Sequence, residues 1–312
     1  MSYIAYRRAQ PVRPVVHVRT PHSFAEYMDF GKKVISFFTQ DVPETYGDMT
    51  KFMHNHFLRP ANVSRLSGGF KQVNQSRYSA LDGHQKERLF ELLKNNGFVH
   101  EVLPAHNTFD IVLFLGGYLE TMRQRLLFLD RLVASRQIIL SDSCVMILTT
   151  GKRILEAGET SLYQGAKKRM ATCSHLNDEE DGLRFIWHST ALCPQLRRMH
   201  VREVCVHNKS GRSKEGRPTT HDVFKHLMEK DVLSPHHRVL LVSSNPCVVY
   251  QALVLKALFA EKGMPVDLVD YMAADTSFYG DDLNDQLGLV LDSVARAFYQ
   301  KGKLDAVKKH RS

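Results

Sequence analysis

The sequence contains neither a long hydrophobic run nor an export signal. None of its 312 residues lies in a stretch of eighteen or more apolar residues, so no membrane-spanning helix is expected. The N-terminus lacks the short apolar core and the small-residue cleavage site of a signal peptide. We therefore predict a cytosolic protein. Export by a route that needs no such signal is the alternative.

Several common catalytic and metal-binding motifs are also missing. The five cysteines are odd in number, widely spaced and without a CxxC pair, which favours free thiols over disulfides or a zinc site. The sixteen histidines include no HExxH motif and no ligand spacing typical of zinc. The GxGxxG, P-loop and GxSxG patterns are absent as well. The sequence therefore predicts no metal site and no standard dinucleotide, P-loop or serine-hydrolase site.

Positive charge is concentrated at the two ends of the chain. The net charge is +9, and the first 25 residues contribute +4 through four arginines and no acidic residue. Residues 301–312 contribute another +4, from five basic residues and one acidic residue. The balance of +1 for residues 26–300 argues against a nucleic-acid-binding body. Contact with nucleic acid, an acidic membrane surface or a protein partner is predicted only for the basic ends, and a purely solubilising role is the alternative.

Hydrophobic periodicity predicts a helical N-terminal part followed by an α/β part. Capping and turn signals predict helices over 21–38, 43–57 and 82–97, with a loop over 60–79. Short apolar strands are then expected at 111–115, 145–148, 201–206, 239–242 and 266–269, with helices at 119–133, 220–230, 250–262 and 283–300. This alternation indicates a doubly wound, mainly parallel, Rossmann-like α/β sheet with an N-terminal helical extension. The predicted division is a basic arm and helical extension (1–80), an α/β domain (81–300) and a basic tail (301–312).

Polar residues follow the predicted strands, where ligands bind in open parallel sheets. After the first strand, Gly116 and Gly117 would let a ligand approach the backbone, and Arg123 and Arg125 would bind an anion. The alternative is that the glycines only form the turn. After the second strand, a cluster of hydroxyl, glycine and basic residues also suits an anion, and we select Gly151 and Arg153 from it.

Two further groups follow the later strands. The third contains Arg217, Thr220 and Asp222, although Thr219 or Thr220 is more simply a helix cap and Asp222 a residue that complements the helix dipole. The fourth follows the 239–242 strand and offers hydroxyl and amide groups that either bind a ribose, carboxylate or phosphate or cap a helix; its members are Ser243, Ser244, Asn245, Tyr250 and Gln251. The acidic run 178–181 is interpreted as a solvated loop or helix start.

The order of these motifs resembles a known bacterial family. The segment beginning Asp110-Ile-Val-Leu-Phe-Leu-Gly-Gly, the strand ending Thr-Gly-Lys-Arg, the segment Arg217-Pro-Thr-Thr-His-Asp and the strand Val239-Leu-Leu-Val-Ser-Ser-Asn-Pro are similar to the YdcF/SanA-like domain-of-unknown-function family. The resemblance covers about residues 98–300. It implies a Rossmann-like sheet with a ligand pocket at the strand ends and, as in YdcF, binding of S-adenosylmethionine. The late turn and the stretch 175–198 depart from the family pattern.

The sequence therefore supports two functions of different classes. The first is binding of a nucleotide-like or other anionic small molecule at the sheet edge, with S-adenosylmethionine as the cofactor that the resemblance implies. Whether the protein is an enzyme stays open; if it is, hydrolysis or group transfer on a phosphate-bearing or adenosyl substrate is expected, with Asp222 as general base. The second is a non-enzymatic binding protein that uses its basic ends.

Overall fold

Five parallel strands form one sheet in the computed structural model, which describes residues 20–60, 68–151, 153–155, 176–206, 218–275 and 282–311, with 68–70 described by backbone alone. The strands are β1 (Thr108–Leu115), β2 (Ile139–Gly151), β3 (His200–Val206), β4 (Val239–Ser244) and β5 (Val269–Ala274). Their order is β3-β2-β1-β4-β5, and every neighbouring pair is parallel. The predicted doubly wound α/β fold is confirmed. The strand order reverses between β1 and β4, which creates the crevice where ligands bind in such sheets.

Ten α-helices lie in the described residues. Four precede the sheet: α1 (Phe24–Ile35), α2 (Tyr46–Phe57), α3 (Gly68–Tyr78) and α4 (Gly83–Asn95). The other six are α5 (Leu119–Ala134), α6 (Glu179–Ser189), α7 (Pro194–Arg198), α8 (Thr220–Glu229), α9 (Val248–Glu261) and α10 (Leu283–Arg311). None of the helices in these ranges has both the length and the hydropathy needed to cross a membrane.

Helices cover both faces of the sheet, and β1 shows why its sequence is apolar throughout. Val112 and Phe114 face a core formed with α5, α6 and α7, whereas Ile111 and Leu113 face the core that contains residues of α1, α2, α4, α8, α9 and α10. Successive side chains of a strand point to opposite faces, so a strand covered on both faces needs apolar residues at every position. The N-terminal helices therefore share a core with one face of the sheet.

The N-terminal helices begin where capping residues permit. The expected start of α1 at Thr20-Pro21 is wrong: Ser23 is the N-cap, and its capping box with Glu26 fixes the first turn. Thr20 instead pairs its hydroxyl with that of the buried Tyr271 on β5. The prediction for α4 is confirmed, with Asp82 as N-cap and Gly97 in the left-handed conformation (φ 76°) that ends helices.

The segment 60–79 was expected to be a loop, and this prediction is wrong because α3 occupies most of it. Its composition is poor for a helix, but tertiary contacts hold it. Arg77 donates hydrogen bonds to the carbonyls of Phe57 and Leu58, at 3.1 and 2.7 Å, and so ties α3 to the end of α2. The side chains of Asn74 and Tyr78 are completely buried.

Several later boundaries also differ from expectation, and the second strand, predicted at 145–148, is longer (Ile139–Gly151). The fifth strand was predicted at 266–269, but Val266–Leu268 forms a 3-10 turn and β5 begins at Val269. Asp270 and Tyr271 interrupt the apolar run within β5, which explains the shift. The last helix was expected to end near Gln300, and α10 instead continues to Arg311. Most of the predicted basic tail is therefore helical.

Candidate functional site

The turn between β1 and α5 is built from two glycines that lie against charged side chains. A Cβ atom on Gly116 would come within 2.4 Å of both Glu179 Oε1 and Thr150 Oγ1. A Cβ atom on Gly117 would lie 3.1 Å from Arg125 Nη1. Gly116 is therefore required because the protein's own side chains fill the space above it, and not only because of the turn.

Arg125 connects the ends of β1 and β4 across the crevice where the strand order reverses. Its guanidinium donates to the carbonyls of Leu115 and Gly116 at 2.8 Å and to the hydroxyl of Ser244 at 2.8 Å. Only 4% of the residue is exposed. Because Leu115 ends β1 and Ser244 ends β4, the cation lies at the position that ligands occupy in doubly wound sheets.

Arg153 and Glu179 form a buried ion pair on the β2 side of the same turn. Arg153 Nε lies 2.9 Å from Glu179 Oε2, and the two side chains are 12% and 4% exposed. Thr150 donates its hydroxyl to Glu179 Oε1 at 2.5 Å. Arg153 also donates to the carbonyl of Gly117 at 3.2 Å and lies over the ring of Tyr118, 4.7 Å from its centroid. We call Gly116, Gly117, Arg125, Thr150, Arg153, Glu179 and Ser244 the edge cluster.

Backbone pairing fixes Glu179 beside Arg153. The chain after β2 and the chain before α6 pair through an antiparallel bridge between Ile154 and Asp178. The amide of Glu179 donates to the carbonyl of Arg153 at 2.8 Å. Asp178 caps α6 by accepting bonds from the amides of Glu180 and Asp181. Glu179 is consequently the first residue of α6, with its side chain directed at the glycine turn.

The predicted ligand residues at the end of β2 lie next to those at the start of α8, but the structure gives them structural partners. A Cβ atom on Gly151 would lie 3.0 Å from Pro218, so this glycine allows the start of α8 to approach the end of β2. Thr219, rather than Thr220, is the N-cap of α8. Asp222 completes a capping box: Oδ2 accepts from the amide of Thr219 at 2.9 Å and from its hydroxyl at 2.8 Å. Asp222 thus has a structural role in the first turn of α8, as a partner of the cap residue.

The residues predicted to follow the fourth strand, of which Ser243 and Ser244 are the last two residues of β4, divide between separate partners. Ser243 donates its hydroxyl to Gln251 Oε1 at 2.6 Å inside the protein. Asn245 is buried, and its amide donates to the carbonyls of Gly97, at 3.0 Å, and His100. Tyr250 lies against α10, where the guanidinium of Arg296 is 6.0 Å from its ring centroid. Of this group, Ser244 is the member that contacts Arg125.

Two other predicted residues stand apart from the edge cluster. Arg123 is 38% exposed and its guanidinium lies 3.5 Å from Glu120 on the same helix. Arg217 lies outside the described residues. The structure therefore brings together Gly116, Gly117, Arg125, Arg153 and Ser244, while Gly151 and Thr220 lie at the neighbouring β2–α8 junction.

Sequence reasoning missed Glu179, and it noted Thr150 only as one of the hydroxyl residues that follow the second strand. The run 178–181 looks solvated because four consecutive acidic residues are rarely buried together, yet Glu179 alone is directed inward. The signal in this run is Asp178 as a helix cap, which indicates where a helix begins but not which acidic side chain turns inward. Asp178 does act as the cap, so this part of the run does start a helix.

Cysteine and metal chemistry have little support in the described residues. Cys144, Cys193, Cys205 and Cys247 are free thiols. Burial raises the pKa of Cys144 and of Cys205 to about 12, in the latter case with help from Glu180, so both stay protonated at neutral pH. Within the described part of the chain, no three His, Cys, Asp or Glu side chains are grouped to hold a metal ion.

Comparisons with known proteins add no assignment. No protein-family model matches the chain, and neither does any curated protein or solved structure. The functional interpretation therefore depends on the geometry and charge of the sheet edge.

Proposed function

We propose that the protein binds a small anionic or nucleotide-like molecule at the carboxyl edge of the sheet, against the outer side of the Gly116–Gly117 turn. The observation that supports this most is the placement of two arginines, Arg125 and Arg153, on either side of that turn. Both are largely buried, where a guanidinium attracts an anion more strongly than it does in water.

The accessible part of this edge has the properties of a ligand contact. Gly116, Gly117 and Tyr118 are only partly buried, whereas the strand residues before them are buried. Tyr118 offers an aromatic face next to the Arg153 cation. An aromatic ring beside a guanidinium suits a molecule that carries both a planar ring and a negative charge, as nucleotides do. The similarity to the YdcF/SanA-like family adds S-adenosylmethionine as a candidate.

Catalysis is a separate part of the proposal. Hydrolysis or group transfer on a phosphate-bearing or adenosyl molecule would need a general base near the edge cluster, and Asp222 was the residue proposed for it. Its carboxylate already accepts two hydrogen bonds from Thr219. Binding is therefore the activity that the geometry supports best, and turnover is the lesser candidate.

A binding screen tests the proposal. Thermal shift followed by calorimetry would be run with S-adenosylmethionine, S-adenosylhomocysteine, nucleotides and sugar phosphates. We expect at least one of them to stabilise the protein, and Arg153→Lys to weaken its binding about tenfold or more, because lysine keeps the charge but loses the forked geometry. Failure of every ligand to stabilise a well-folded sample would refute the proposal.

The control replaces an arginine of α5 that is far from the edge cluster. Arg131 is in the last turn of α5, at the end of the helix opposite to the Gly116–Gly117 turn. Its guanidinium pairs with Glu101, which lies outside the helix. Arg131→Lys makes the same chemical change as Arg153→Lys, and we expect it to leave ligand affinity unchanged. Equal loss in both variants would mean that the effect is not specific to the edge cluster.

A further inference from the structure

One carboxylate is buried among the cations of the edge cluster. Glu179 contacts Arg153 and Thr150, and its Oε1 lies where a side chain on Gly116 would begin. A molecule bound against the Gly116–Gly117 turn must therefore come close to this carboxylate as well as to the arginines. Proposals based on the arginines alone leave out this negative charge.

The charges of the cluster are unequal in number. Arg125 and Arg153 supply two positive charges and Glu179 one negative charge, and all three side chains are largely buried. Charges that are shielded from water interact more strongly, and salt screens them less, than charges on the surface. Glu179 therefore halves the positive charge that the two arginines would otherwise present to a ligand.

We propose that Glu179 is a specificity-determining residue of this site: an internal counter-ion that lowers affinity for anions and lowers it most for those with two negative charges. The inference rests on the proposed function, since it concerns which anions the edge cluster accepts. Because two arginines and one glutamate leave the cluster with a net positive charge, Glu179 does not reverse the order of affinities. It reduces the advantage that a dianion, such as a phosphomonoester, would otherwise have over a group with a single negative charge, such as a carboxylate or a phosphodiester.

The dependence on ligand charge follows from electrostatics. Repulsion between Glu179 and a bound group is proportional to the charge of that group, so it is twice as large for a dianion as for a monoanion at the same place. Removal of the Glu179 charge should thus favour a dianion by the square of the factor by which it favours a monoanion. A purely structural glutamate would produce no such relation.

The experiment compares two probes that differ in charge and little else. Adenosine 5′-monophosphate is a dianion at pH 8, because the second phosphate pKa is about 6, whereas its 5′-methyl ester is a monoanion. Affinities are measured by calorimetry for the full-length protein and for Glu179→Gln and Glu179→Ala. The alanine variant covers the case in which the glutamine amide, facing Arg153, prevents folding. Glu180→Gln is the matched control, because Glu180 is adjacent, pairs with Arg184 on the surface and carries the same charge.

We expect a gain in affinity of about tenfold for the methyl ester and about a hundredfold for the monophosphate in the Glu179 variants, and no change in Glu180→Gln. Equal gains for the two probes, or no gain in folded Glu179 variants while the wild-type protein binds, would overturn this inference and leave the proposed function intact. Absence of binding to either probe in every folded variant would overturn this inference, and it would overturn the proposed function as well if every other ligand of the binding screen also failed.

Discussion

At the scale of single residues, Gly116 determines how the edge cluster is packed. Its missing side chain leaves room for Thr150 Oγ1 and Glu179 Oε1, which would each lie 2.4 Å from an added Cβ. Such a separation is far below van der Waals contact, so one of these groups would have to move. Because both groups are buried and bonded to each other, movement of either one disturbs the Arg153–Glu179 pair as well.

Gly116→Ala should therefore destabilise the protein. We expect a loss of about 1–3 kcal/mol in the free energy of unfolding, as found for other overpacked sites, measured by denaturant unfolding. Gly83→Ala is the control, since nothing lies within 4 Å of a Cβ atom there and Gly83 is in the first turn of α4. It should be neutral or slightly stabilising. A tolerated Gly116→Ala would mean that the cluster is not packed as described.

The site was predictable to the extent that it follows from topology. Because strands of a parallel sheet end at the same edge, Gly116, Arg153 and Ser244 could be placed together from the order of apolar runs alone. Glu179 could not, because nothing in an acidic run distinguishes the one side chain that turns inward. Arg125 was predicted, but its partners, two carbonyls and Ser244, depend on the position of α5 over the sheet.

At the scale of elements, α4 has boundaries that local chemistry sets and that the sequence predicts correctly. The Asp82 capping box and the left-handed Gly97 define α4 without help from distant residues. By contrast, α3 depends on hydrogen bonds from Arg77 to the end of the preceding helix α2, to residues 19 and 20 positions earlier in the chain, and composition does not report this contact. Tertiary packing outweighs propensity in such helices.

The start of α8 gives a test at this scale, because it separates a structural from a catalytic role for Asp222. Thr219→Ala should lower the free energy of unfolding by about 0.5–2 kcal/mol through loss of the cap. Since Thr219 and Asp222 bond to each other, the double variant with Asp222→Ala should cost less than the sum of the single variants.

This comparison of single and double variants has a control in Thr220, the residue adjacent to Thr219. Thr220 is the first helical residue rather than the cap, so we expect Thr220→Ala to stay within about 0.5 kcal/mol of the wild-type protein. Strictly additive costs for Thr219→Ala and Asp222→Ala would contradict a shared capping box. Asp222 would then have to be reconsidered as a residue kept for chemistry.

At the scale of the whole molecule, the basic C-terminal end of the chain also has a structural role. Residues 301–311 continue α10, and Leu304 is 4% exposed in the core shared with the N-terminal helices. Lys301 is buried and lies 2.5 Å from Asp305, while Arg311 donates to the carbonyl of Glu261 at the end of α9. The charge of +4 predicted for a basic tail, which is half of the excess at the two chain ends, is thus carried by a packed helix.

Leu304→Ala should accordingly destabilise the protein by about 2–4 kcal/mol, as buried leucines generally do, whereas the exposed Lys308→Ala should have an effect within about 0.5 kcal/mol. Thermal and denaturant unfolding measure both, and an equally small effect of the two would mean that residues 301–311 do not pack.

The packing of residues 301–311 also decides how contact with nucleic acid or an acidic surface is tested. Deletion of 301–312 would remove part of the core, so loss of binding would not identify charge as the cause. Neutralising Lys308 and Lys309, both exposed, isolates the electrostatic contribution, which must weaken as salt is added.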